Sequence, residues 1–163
     1  MCNSWFSVII NGKSTSFFTS SRGLRQGDPL SPTLFILASE FLSQGLNYLF
    51  TTFPSVMFKS SAQAWVFHLC FADDCILFLN GSKNAVKHVS NFLTFYENMS
   101  GQKINRNKSS LAFPRNLKAS KKKPIKLLTG IVEQNLPLNY LGIPLSLGWR
   151  DHQSYKCLFE KVS

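Results

Sequence analysis

Two aspartates, Asp73 and Asp74, stand side by side between two apolar runs, Ala64 to Ala72 and Cys75 to Leu79. Short apolar runs parted by a two-residue polar break read as a β-hairpin. Asp tolerates the left-handed backbone that tight turns demand, so the pattern predicts Asp73-Asp74 as the loop itself. Such a turn holds two carboxylates out from a rigid, greasy support. Adjacent like charges disfavour one another, so both ionise readily only in water or beside a cation. A hard divalent ion such as Mg²⁺, which takes carboxylate oxygens and keeps several waters, would remove the repulsion. The plain alternative is a solvated acidic surface turn, and the pair alone does not decide between the two.

The rest of the composition narrows the partners. A chain of 163 residues suits one domain with a single core. With 44% hydrophobic and 13% aromatic residues it is built to fold rather than to stay disordered. Lys and Arg outnumber Asp and Glu by 18 to 8, a net charge of +10 that favours a polyanion, nucleic acid first. Lysines, aspartates or polar clusters interrupt every apolar stretch, so no membrane span is expected. Met1-Cys2-Asn3-Ser4 has no basic leader, so no secretory signal is expected either. Cys2, Cys70, Cys75 and Cys157 lack the paired spacing of a zinc site and suggest no disulfide framework. His68, His88 and His152 are scattered and read as structural. A reduced intracellular compartment fits.

In chain order, Phe6 to Ile10 is β-rich, Asn11-Gly12 is a hairpin turn, and Ser14 to Thr19 returns as the second strand. Trp5, Phe17 and Phe18 are expected in a core or on a sheet face. Arg22 to Pro32 reads as a loop entering a helix, with Ser31 as N-cap and Pro32 at the first helical position. Leu34, Leu37, Ala38, Phe41, Leu42, Gly45, Leu46 and Leu49 then form one apolar, core-packed face. Arg22, Arg25 and the free amides of that helix start suit a phosphate. Alternatively, Asp28 merely complements the helix dipole and the arginines are solvated. A second helix runs from Ser82 to about Met99, buried through Val86, Val89, Leu93 and Tyr96 and stopped by Gly101. Leu111 to Phe113 suggest a strand. From Asn98 through Val132 there is no acid, while Lys103, Arg106, Lys108, Arg115, Lys118, Lys121, Lys122, Lys123 and Lys126 fall there. Pro124 argues against an unbroken helix through that basic interval. Tyr140-Leu141-Gly142-Ile143-Pro144 reads as a tight apolar hairpin.

Four blocks carry a resemblance. Phe71-Ala72-Asp73-Asp74 resembles the catalytic hairpin of reverse transcriptases, in the form carried by non-LTR (LINE-type) retrotransposons. The stretch from Ser21 through Arg25, Gln26 and Gly27 to Pro32 fits the same family. So do Ser100 to Asn105 followed by Lys108-Ser109-Ser110, and Tyr140 to Pro144, in the family's order and near its spacing. The resemblance runs from about Ser7 to the C-terminus. It implies an α+β polymerase palm, antiparallel strands bearing the Asp-Asp hairpin against helices near 32–49 and 82–99. It implies Asp73 and Asp74 as catalytic Mg²⁺ ligands, with Asp73 foremost. Arg25, Gln26 and Gly27 would face the incoming nucleotide and template, and Lys108 the nucleotide phosphates. Tyr140, Leu141 and Gly142 would support the primer.

The reaction so implied is RNA-directed DNA synthesis. Two Mg²⁺ ions assist attack of a primer 3′-hydroxyl on a deoxynucleoside triphosphate, and the partners are an RNA template and a DNA primer. The family's other catalytic aspartate lies on a strand before the Asn-Gly hairpin, and Met1 falls after that place. Residues 1–163 are therefore expected to form a partial palm without that strand or the fingers. The alternative is an inactive retrotransposon remnant that binds nucleic acid non-specifically through its basic face. An unrelated small RNA-binding domain is a weaker third reading, since it needs aromatics exposed on a sheet. The family implies a nuclear location, and the oligomeric state stays open.

Overall fold

The computed structural model describes residues 5–19, 23–58 and 66–145. Ser21 and Arg22, the beginning of the first apolar run at Ala64, and Cys2 and Cys157 lie outside the described residues. The chain opens with two nested antiparallel pairs: β1 (Trp5–Phe6) with β4 (Phe18–Thr19), and β2 (Ile9–Ile10) with β3 (Lys13–Ser14). Asn11 and Gly12 turn the inner pair with φ of 50° and 76°, the doubly left-handed turn that Asn-Gly favours. Phe6 stacks on Phe18 across the ladder at 5.9 Å. Trp5 and Phe17, expected in a core or on a sheet face, are 65% and 69% exposed. No second layer among the described residues covers this ribbon.

Helix α1 (Ser31–Thr52) follows, then a single 3-10 turn at Pro54–Val56. Ser31 is not the cap: the helix already includes it, and its hydroxyl donates to the Arg25 carbonyl at 2.7 Å. The flanking Leu30 has helical φ and ψ and no side-chain acceptor. Asp28 supplies the acceptor instead, taking the Leu30 N–H at 2.8 Å. Only the C-terminal half of α1 is core. Leu46, Leu49 and Phe50 are buried, whereas Leu37 and Phe41, expected on the packed face, are exposed.

Strands β5 (His68–Phe71) and β6 (Asp74–Leu77) pair antiparallel, and helix α2 (Lys83–Ser100) packs across α1. Ser82 caps α2, its hydroxyl accepting the Ala85 N–H at 3.2 Å, and Gly101 ends it with φ 74°. Ser82→Ala is expected to lower stability by about 1 kcal/mol in urea unfolding, because one end amide loses its acceptor. An unchanged midpoint would show that the cap contributes nothing. Leu46, Leu49, Phe50, Val56, Ala85 and Val89 form the core, with Leu42, Met57, Phe67, Leu77, Leu79, Phe92 and Leu93 packed around them. Phe50 stacks on Phe67 at 5.0 Å, and Gly45 lets the Phe92 ring lie directly against the α1 backbone.

The last third builds smaller units. Strand β7 (Ser110–Leu111) pairs in parallel with β8 (Val132–Glu133), shorter than the Leu111–Phe113 strand expected. Helix α3 (Ala119–Thr129) lies between them in sequence and runs on through Pro124. The proline at its sixth position lacks the N–H that would bond the Ser120 carbonyl. The helix therefore continues with one backbone bond fewer, two residues past its first i→i−4 bond at Lys122. Burial of Ile125, 1% exposed, holds the turn in place. Strands β9 (Leu138–Tyr140) and β10 (Ile143–Leu145) close the expected hairpin, turned by Leu141 and Gly142 at φ 52° and 81°. The architecture is α+β: three helices with small, mostly antiparallel sheets.

Candidate functional site: an acidic hairpin and a basic face

The β5–β6 register pairs His68 with Leu77, Leu69 with Ile76, Cys70 with Cys75 and Phe71 with Asp74. The two-residue turn is therefore Ala72-Asp73 rather than Asp73-Asp74. The left-handed residue is Ala72, φ 49°, and not an aspartate. Asp73 sits in the turn and Asp74 begins β6, and both are exposed. Alternation along the strands puts Asp74 on the face of Phe71, Leu69 and Ile76. Cys70, Cys75, His68 and Leu77 share the opposite face, toward α1. There His68 Nε2 bonds the Ser43 hydroxyl at 2.8 Å, while its buried Nδ1 has no partner. Burial holds the His68 imidazole below its usual range, so it is a neutral structural prop. His88 is structural too, stacked on Phe53 at 4.3 Å.

What fixes this hairpin is its far end. Leu79 bridges Met57, and Asn80 donates its N–H to the Val56 carbonyl at 2.8 Å and its side-chain amide to Ser55 at 3.2 Å. The ladder continues through the Phe78 N–H, which donates to the Phe67 carbonyl at 2.9 Å. The acids are thus carried on a support anchored in the core, the arrangement a charged site needs.

Two of the other sequence blocks reach toward this region. Burial pushes the Tyr140 hydroxyl up, and the charges of Cys70, Cys75 and Asp74 act in the same direction, so β9 lies within electrostatic range of the hairpin. Tyr96 of α2 donates a hydrogen bond to Gln102, fixing the Gly101-Gln102 segment against the helix. Burial and the same two cysteines push the Tyr96 hydroxyl up, against a lowering by Ser100. By contrast, no ion pair among the described residues joins Arg25 or Lys108 to Asp73 or Asp74. Arg25, Gln26 and Gly27 form an exposed turn held by Ser31, with Gly27 at φ 87°. Lys108 is exposed in a turn where its N–H donates to Asn105.

The basic interval folds into an exposed face. Lys118, Lys121 and Lys123 on and before α3, with Arg106, Lys108 and Arg115, are solvent-facing. Lys122 and Lys126 are not free. They pair with Glu133 of β8 at 2.6 and 3.3 Å, and Lys122 also lies 5.5 Å from the Phe113 ring. Lys122 first, and then Lys126, hold the Glu133 carboxyl below its ordinary range against the opposing effect of burial. Glu133 stands one residue beyond the acid-free interval, so only the fold shows that two of its lysines are neutralised.

The sequence profile of the reverse transcriptase (RNA-dependent DNA polymerase) family matches residues 1–145. This chain belongs to the reverse transcriptase family. It is also 42% identical over 82 residues to an Arabidopsis thaliana protein, the uncharacterized mitochondrial protein AtMg01250. That match covers 45% of this chain and 62% of the relative, so the chain spans less than two thirds of that protein's length.

Reverse transcriptases use Mg²⁺, and the fit of this chain to it is partial. Asp73 and Asp74 present exposed carboxylates that can fill one side of an octahedral ion. Among the described residues no group of three or more His, Cys, Asp and Glu is placed to hold a metal ion. No helix among the described residues is long and apolar enough to cross a membrane.

Proposed function

We propose that residues 1–163 are a partial palm of a non-LTR (LINE-type) reverse transcriptase, whose parent enzyme copies RNA into DNA. The observation that carries this reading is the core-anchored hairpin with both carboxylates exposed at its turn. When bound, Mg²⁺ would supply the Lewis acidity that activates a primer 3′-hydroxyl and neutralises the triphosphate. This chain's part is to hold that charge with Asp73 and Asp74. Arg25, Gln26 and Gly27, with Lys108, offer cations and backbone amides to the nucleotide and template. Tyr140, Leu141 and Gly142 form the tight hairpin that supports the primer. Primer extension on an RNA template by the chain joined to an upstream strand bearing an aspartate tests this. Activity that survives Asp73→Asn would overturn it.

The basic face favours a second reading, a non-catalytic remnant that binds RNA or DNA with little sequence preference. Lys118, Lys121 and Lys123 have no acidic partner among the described residues, so phosphates can displace their counterions. Changing all three to Ala is expected to weaken binding and to lower the slope of log affinity against log salt. Each lysine that meets a phosphate contributes about 0.7–0.9 to that slope. Lys122→Ala should change it less, because Glu133 already holds that ammonium. A salt-independent affinity would sink the phosphate-binding reading. The expected location is intracellular, in the nucleus, and imaging of a tagged chain distinguishes that from the mitochondrial location in the relative's name.

A further inference from the structure

We propose that Cys70 and Cys75 form a dithiol–disulfide pair, a modification site for a low-molecular-weight disulfide of the glutathione class. Their sequence spacing suggests no such pairing; the register creates it. The two residues face each other across β5 and β6, with their sulfurs 2.8 Å apart. Both are free thiols and exposed. Opposite residues in an antiparallel pair alternate between hydrogen-bonded and non-hydrogen-bonded positions. The Phe67–Phe78 pair is hydrogen-bonded, so counting along the ladder makes Cys70–Cys75 a non-hydrogen-bonded pair. At such positions the Cα atoms approach to about 4.5 Å, within the span of about 4.4–6.8 Å that a disulfide bridges. No backbone movement is needed to bring the sulfurs together.

Both thiols are exposed, so either can attack first, and the exchange is the same with the two exchanged. The Cys70 thiolate displaces one glutathione thiolate from glutathione disulfide, forming a mixed disulfide. Cys75 then loses its proton and attacks the Cys70 sulfur, releasing the second glutathione. Two thiols of the protein are oxidised, one glutathione disulfide is reduced, and the two protons end on two glutathione thiols. The bridge forms one register step from the Phe71–Asp74 pair, on the opposite face from Asp74. It tethers the strand bearing Asp74 whether or not that residue holds a metal ion.

The full chain is to be equilibrated in glutathione–glutathione disulfide mixtures without denaturant, then quenched by alkylation. Cleavage on the N-terminal side of Asp73 separates Cys70 from Cys75, so a bridge is read as two peptides joined only through sulfur. The expected result is loss of both thiols to alkylation, with those two peptides linked. Cys75→Ser and Cys70→Ser should each stop at a mixed disulfide on the cysteine that remains, with circular dichroism confirming that each variant folds. The proposal is overturned if both thiols stay alkylatable throughout, or if each carries its own glutathione. It is equally overturned if the linked partner of either proves to be Cys2 or Cys157.

Discussion

Purified as the 163-residue chain, the protein is expected to extend a primer at least about a thousandfold more slowly than the same chain joined to an aspartate-bearing upstream strand. Two-metal phosphoryl transfer would need enough converging carboxylates to hold both ions, more than one hairpin supplies. Asp73 and Asp74 both come from one hairpin, and no third ligand joins them among the described residues. Mg²⁺ demands near-ideal geometry and gives up water reluctantly, so a partial set should bind it weakly. Losing about 4 kcal/mol of transition-state stabilisation accounts for the thousandfold, and poorer positioning of the nucleotide adds to it. The measurement is Mg²⁺-dependent elongation of a labelled primer on an RNA template, for the chain, the fusion, and Asp73→Asn in each. Strong extension by the chain alone, lost in Asp73→Asn, would mean that a carboxylate outside the described residues completes the site.

Phe50→Ala is expected to destabilise the fold by about 3–5 kcal/mol, measured by urea unfolding. Phe50 is fully buried where α1, the 3-10 turn and the two α2 residues Ala85 and Val89 meet, and it stacks on Phe67 at the root of the acidic hairpin. Its removal forfeits the transfer free energy of a large ring and leaves a cavity that a small core cannot close. A loss of this size is a large share of the stability of any single domain. Leu37→Ala, on the same helix but 61% exposed, is expected to change stability by no more than about 0.5 kcal/mol. Equal costs at the two positions would show that the core runs the full length of α1. A loss under about 1 kcal/mol at Phe50 would show that it is not the centre of the core.

The sequence by itself determined what short-range physics controls. Asn11-Gly12 made its turn because both residues tolerate positive φ, and at Leu141-Gly142 the glycine supplies that freedom while Leu141 takes φ 52° against its own preference. Ser82 and Gly101 bounded α2 because a hydroxyl acceptor and a left-handed glycine complete helix ends. The family blocks were legible because their residues are contiguous.

The tertiary structure decided what depends on distant partners. Sliding the hairpin by two residues, so that Asp73-Asp74 became the loop, would leave every side chain on its own face. Periodicity cannot tell the two registers apart. The choice falls to the anchors at Met57–Leu79, Val56–Asn80 and Ser43–His68, whose partners lie more than twenty residues away. The pairing of Cys70 with Cys75 follows from that choice and was invisible before it. Lys122 and Lys126 read as free charge until parallel pairing of β7 with β8 placed Glu133 beside them. The apolar stripe on α1 was real along its whole length, but a stripe says which face seeks burial and not how far a neighbour extends to cover it. Its C-terminal half is buried by α2 and the 3-10 turn, while nearer its start α2 reaches it through Phe95 and Tyr96 against Ala38 and Phe41. Hydrophobic burial requires a second surface, and local periodicity describes only the first.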